Sequence, residues 1–153
     1  MRYLYAVAIL AVALVTAFAV AGTATGNVDL KKRLATNLTG AEEVPPADPD
    51  GSGNVVVRLN TRMGGKVNWN FTVANIGTAT AAHIHKAPMG MNGPIVVDMS
   101  PGPGDADDGQ WRGGRTGVDR ALIRDIIRNP SSYYVNVHNM QFPGGAIRGQ
   151  LGD

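Results

Sequence analysis

The sequence predicts an all-β fold of seven or eight antiparallel strands with one short helix. Three observations predict it. The 153-residue chain carries 20 glycines and 9 prolines, the residues that punctuate short strands. Val67, Trp69, Phe71 and Val73 alternate with Lys66, Asn68, Asn70 and Thr72, the period-2 pattern of a strand with one buried face. A helical stripe occurs in one stretch, "VDRALIRDIIRNP", near 118–129. There Leu122, Ile123, Ile126 and Ile127 share a face before Pro130 stops the run.

The N-terminus is expected to lie outside the fold. Arg2, a long apolar run and the small residues Ala19–Ala21 read as a signal peptide over 1–21, cut after Ala21. The apolar run approaches the roughly 20 residues that span a bilayer. The small and polar residues that follow favour cleavage over a retained anchor, so no membrane span is expected in the mature chain. Export to the periplasm, cell envelope or extracellular space follows. The absence of cysteine excludes a lipid-anchored product and any disulfide. Residues 22–33 read as a polar leader and 34–152 as a single domain.

Along that domain, "RLATNLTG" reads as a first strand anchored by Leu34 and Leu38. "AEEVPPADPDGSG" is a loop rich in Pro, Asp and Gly. "NVVVRLN" (54–60) and "KVNWNFTVAN" (66–75) form a hairpin across "TRMGG". "TATAAHIHK" and "GPIVVDMS" are further strands, and "PGPGDADDG" is a turn-rich connection. After the helix, "SSYYVNVHN" and "GAIRGQL" pair around "MQFPGG", where Pro143-Gly144 suits the centre of a type II turn.

Composition narrows the function. The net charge of +2 is near balance, and no run of Lys and Arg marks a nucleic-acid partner. The chain has no Gly-x-Ser-x-Gly, no cysteine nucleophile and no phosphate-binding loop, so hydrolase and transferase readings have no support. A non-catalytic protein is favoured over an enzyme.

The chain holds three histidines, and two of them stand one residue apart in "AAHIHKAPMG". Side chains alternate along a strand, so His83 and His85 share a face while Ala82 and Ile84 point to the core. In "YYVNVHN", Tyr133, Val135 and Val137 form the core set, which leaves Tyr134, Asn136 and His138 on the other side. All three histidines therefore face outward or lie under a loop. Three imidazoles converging from neighbouring strands make an N₃ set with an open position, which suits copper or zinc. Metal binding needs neutral imidazoles, so affinity is expected to fall as pH drops through roughly 6.5. The alternative is that the histidines are solvated decoration.

Three ordered motifs, "LTGAEEVPP", "GTATAAHIHKAPMGMNGPIVV" and "YYVNVHNMQFPGGAIRGQL", resemble the chordin-type (CHRD) domain from about Leu34 to Leu151. The family occurs in chordin and as single-domain exported microbial proteins, and its biochemical function is largely undefined. The resemblance implies a Greek-key β-sandwich or barrel, immunoglobulin-like or superoxide-dismutase-like. "HIH" and "VNVHN" look like the copper-ligand strands of copper/zinc superoxide dismutase, and "PGGAIRGQLG" would put Arg148 in the place of its substrate-guiding arginine. The bridging histidine, the zinc subloop and the disulfide of that enzyme are missing, so the resemblance implies at most a mononuclear site at His83, His85 and His138.

Other candidates are weaker. Aspartates in "ADPDGSG" and "GDADDG" fall at calcium-loop-like spacing but lack the full ligand series, and turn formation explains them. Glu42 and Glu43 point apart on an extended chain and read as a solvated loop. Met89, Met91 and Met140 could add thioether ligands for Cu(I), or fill gaps in the core. Asn37 and Asn70 match the glycosylation sequon, relevant in a eukaryotic host. The leading function is metal handling by an exported protein, with copper or else zinc. The alternatives are a metal-free module that binds an extracellular protein or polymer, and a copper oxidoreductase.

Overall fold

A computed structural model describes residues 28–152. The expected signal peptide and the first half of the leader lie outside them. The eight strands are β1 (Lys31–Thr39), β2 (Ser52–Asn60), β3 (Lys66–Ala74), β4 (Ala79–Lys86), β5 (Ile95–Asp98), β6 (Gln110–Thr116), β7 (Tyr133–Asn139) and β8 (Ile147–Gln150), with helix α1 (Arg120–Arg128) between β6 and β7. They form one curled antiparallel sheet in the order β5-β4-β7-β8-β1-β2-β3-β6. The non-sequential neighbours β3–β6 and β4–β7 make the chain cross the ends of the sheet, as in a Greek key. Among the described residues no helix is long and apolar enough to cross a membrane.

The inner face of the curl is the core. On β3, Val67, Trp69, Phe71 and Val73 are buried as the alternation requires. Leu34 and Leu38 of β1 join them, but β1 begins at Lys31, three residues earlier than the leader boundary allows. Lys31 pairs with Asn60 across the sheet, so the end of the presumed leader is strand. The helix falls inside its expected span. Asp119 caps it by accepting the Ala121 N–H, and Ile123 and Ile126 are buried. Asp125 fixes its far end by accepting from Lys86 Nζ (2.7 Å), Asn129 Nδ2 (2.7 Å) and the Tyr133 hydroxyl (2.5 Å).

Strand β6 has no counterpart among the sequence-derived strands. "QWRGGRT" buries only Trp111 fully and carries two glycines, so no alternation marks it. Its partner explains both features. Trp111 pairs with Phe71 and stacks on it at 4.2 Å. Gly113 lies opposite Trp69, and any Cβ there would strike the indole. The two outer strands, β5 and β6, have no backbone ladder between them. Their edges are bridged instead by Arg115 Nη2 to Asp98 Oδ2 (2.8 Å) and by Trp111 Nε1 donating to the Met99 carbonyl (3.2 Å), which turns the sheet toward a barrel.

The β7–β8 connection differs from the type II turn. Gly145 N–H closes the turn onto the Phe142 carbonyl (3.1 Å). Gly145, at φ 137°, takes the positive φ, and Gly144 does not, so Gly144 lacks the conformation that a type II turn demands. A side chain at 145 would also collide with the Glu43 carboxylate.

Candidate metal centre

The pairing of β4 with β7 builds the site. Ile84 lies opposite Val135 and Ala82 opposite Val137, all four in the core. This register leaves His83 opposite Asn136, His85 opposite Tyr134 and Ala81 opposite His138 on the outer face. The β7–β8 pairing adds Arg148 beside Asn136. This part of the outer face is only partly open to water. Residues 87–94 and 43–46 fold over it, and His85, Tyr134, Asn136 and Arg148 are buried while His83 and His138 are half-buried.

The three histidines present ligand atoms that all lie within 4.8 Å of one another. His85 Nδ1 is 2.8 Å from the Gly93 carbonyl and His138 Nδ1 is 3.0 Å from the Pro143 carbonyl. A carbonyl only accepts, so each Nδ1 carries the proton and each Nε2 keeps a lone pair. His85 Nε2 is buried without a hydrogen-bond partner. His138 Nε2 faces both His83 Nδ1 and the Asn136 amide oxygen at 3.1 Å. At most one proton, on His83 Nδ1, is available to that group of electron-rich atoms. A cation meets the same need, and the donor set of three imidazoles suits one. Two nitrogens at about 2.0–2.1 Å from one ion sit about 4.2 Å apart when opposite each other and about 3.4 Å apart in a tetrahedral set, so the widest pair must close by at least about half an ångström, and by over one in a tetrahedral site.

Burial lowers all three basicities. Desolvation is the main cause at His83, with His138 and His85 adding to it, and it brings His83 to about 4. Desolvation also lowers His85 against the Gly93 hydrogen bond, and His138 against that from Pro143. All three imidazoles thus lose their protons below 6.5, His83 at about 4, which moves the expected proton competition to more acid conditions than the free-histidine value gave.

A family model for the CHRD domain matches residues 34–151. The chain belongs to the CHRD-domain family. The match runs from β1 to just beyond β8 and includes all three histidines. Comparison with curated proteins and with solved structures returned no match.

Within the CHRD domain the other predicted residues take different places. Arg148 is 1% exposed and cannot steer a solute from solution, contrary to the guiding role. It donates instead to the carbonyls of Met91 (2.8 Å) and Pro88 (3.4 Å) and to Asn92 Oδ1 (3.2 Å), and its guanidinium lies 3.3 Å from the Tyr134 ring centre. Tyr134 stacks in turn on His85 at 4.7 Å. Arg148 therefore clamps the loop whose Gly93 carbonyl orients His85. Met89, Met91 and Met140 are exposed, so none fills a gap in the core. Asp48, Asp105 and Asp108 accept N–H groups of Gly51, Gly102 and Gln110, the hydrogen bonds of turn formers. Asn37 and Asn70 are exposed strand residues.

Glu43 is the residue that sequence reasoning missed. Glu42 is exposed as expected, but Glu43 is 6% exposed. Burial pushes its carboxyl up to about 7 against the opposing pull of Arg148, and its Oε1 is buried without a hydrogen-bond partner. It lines a cleft of about 470 Å³ with Asn92, Phe142 and Pro143. "GAEEVPP" gave no signal of this, because the burial comes from the β7–β8 turn and the 87–94 loop.

Proposed function

We propose that this CHRD domain binds a single copper or zinc ion through His83, His85 and His138, and that its role is metal handling outside the cytoplasm. The observation that carries this reading is the Nε2 of His85, buried without a hydrogen-bond partner, within 4.8 Å of the other two ligand atoms, beside a His83–His138–Asn136 contact with too few protons. His85 and His138 would offer Nε2 and His83 its Nδ1. The Gly93 and Pro143 carbonyls would fix the first two rings and raise their basicity. The all-nitrogen set lacks thiolate and carboxylate, which favours copper and zinc over calcium or magnesium. When bound, the ion would supply a Lewis-acid centre with room for an external ligand. The chain's own residues would hold neutral imidazoles in place, and the Arg148-clamped loop would limit water at His85. Export is part of the reading and rests on the N-terminal segment. Elemental analysis of protein purified from its host without a histidine tag tests the reading: about one equivalent of copper or zinc is expected, and protein free of both after growth in metal-replete medium would contradict it.

A further inference from the structure

We propose that the open face of β1, β2, β3 and β6 is a docking surface for an acidic polysaccharide. This surface is separate from the histidine cluster and does not depend on the metal reading. The register brings four rows of side chains to this face: Lys31, Asn60, Lys66 and Thr116; Arg33, Arg58, Asn68 and Gly114; Ala35, Val56, Asn70 and Arg112; Asn37, Asn54, Thr72 and Gln110. Lys31, Arg33, Arg58, Lys66 and Arg112 are exposed, and the rows contain no aspartate or glutamate although the chain has 12 acidic residues. Four cations elsewhere behave differently. Arg62 and Arg120 pair with Asp29, Lys86 with Asp125 and Arg115 with Asp98, whereas among the described residues none of the five on this face pairs with a carboxylate.

No run of basic residues in the sequence reveals this surface, because each strand contributes only one or two. Arg33 and Arg58 stand directly opposite each other. Like charges in that position destabilise a strand pair, and a bound anion reverses the sign of the contribution. Beside them a groove of about 360 Å³ is lined by Lys31, Arg33, Arg58, Asn60 and Asn68. Guanidinium groups match carboxylates in a two-pronged geometry, and the amides and hydroxyls between the cations match the hydroxyls of a sugar chain. The rows contain no aromatic residue, so the stacking platforms that single-stranded nucleic acid uses are missing. They also lack the apolar stripe that inserts into a membrane surface.

The test is binding of the full chain to polygalacturonate in low-salt buffer, compared with neutral dextran, single-stranded and duplex DNA, and phosphatidylglycerol vesicles. Polygalacturonate should bind, dextran should not, and the affinity should fall as salt shortens the range of the charges. The double variant R33Q/R58Q should weaken binding by about tenfold or more. R112Q should give a smaller loss and R128Q, on the helix, none. These side chains are exposed, so far-UV circular dichroism should be unchanged in every variant. Equal binding by R33Q/R58Q and the parent, or tighter binding of DNA or vesicles than of polygalacturonate, would overturn the proposal.

Discussion

Replacing Arg148 with methionine tests how the outer face is held together. Methionine keeps the apolar stem and removes the guanidinium, which donates to two carbonyls and one amide oxygen and covers Tyr134. The shortest of those bonds, 2.8 Å to Met91, is a buried charge-assisted hydrogen bond of about 1.5–3 kcal/mol. The contact with Tyr134 adds about 1–2 kcal/mol where water is excluded. Arg148 also attracts the Glu43 carboxylate, which is about half ionised at neutral pH, so losing the charge offsets neither contribution there. The expected loss is therefore about 3–4 kcal/mol, which lowers a urea midpoint by roughly 1–4 M. Amide exchange should accelerate in residues 87–94 before it does in β3. An unchanged midpoint together with unchanged protection of the 87–94 loop would refute the clamp.

Four further outcomes follow from the same geometry. Glu43 holds its proton up to about 7 in the folded chain against 4.5 in the unfolded one, so its contribution is fully present below pH 4.5 and is lost as pH rises through 7; E43Q should flatten that part of the stability–pH curve. The histidines have lowered folded values, so metal-free stability should fall as pH drops from 6.5 toward 4, and NMR titration should find all three below 6.5 with His83 near 4. Asp125 lies below the ordinary 3.8 because of Lys86 first, then Tyr133 and Asn129; D125A should cost about 1–2 kcal/mol at neutral pH, and the difference from the parent should begin to shrink as pH falls below 3.8, disappearing only at the lower value of the folded group. Copper-loaded protein should show no superoxide turnover near the ceiling of about 10⁸–10⁹ M⁻¹s⁻¹, as a stopped-flow assay would reveal.

What could be read in advance depended on whether a pattern was local. The β3 alternation, the Leu34 and Leu38 anchors and the α1 stripe each announce a buried face within a few residues, and each is observed. The HIH spacing also placed His83 and His85 on one face, and the core residues Ile84, Val135 and Val137 set the pairing that brings His138 near. Strand β6 escaped because its two glycines serve Trp69 and the close sheet packing rather than a local pattern. The burial of Glu43, the loop-clamping of Arg148 and the basic face arise from residues far apart in the chain, and no spacing rule exposes them. Type II geometry at Pro143-Gly144 failed for a similar reason: Gly145 is the glycine that the approaching Glu43 requires.

Calorimetric titration of Cu(II) into the parent and into H83A/H85A/H138A measures the metal site directly. The parent should bind one equivalent, and its metal-loaded form should gain about 2.7 kcal/mol of stability at a hundredfold excess over the dissociation constant. The triple variant should keep the fold, since Ile84, Val135 and Val137 rather than the histidines fill the core, and should lose the one-equivalent binding. Equal Cu(II) binding by the triple variant and the parent would contradict the site.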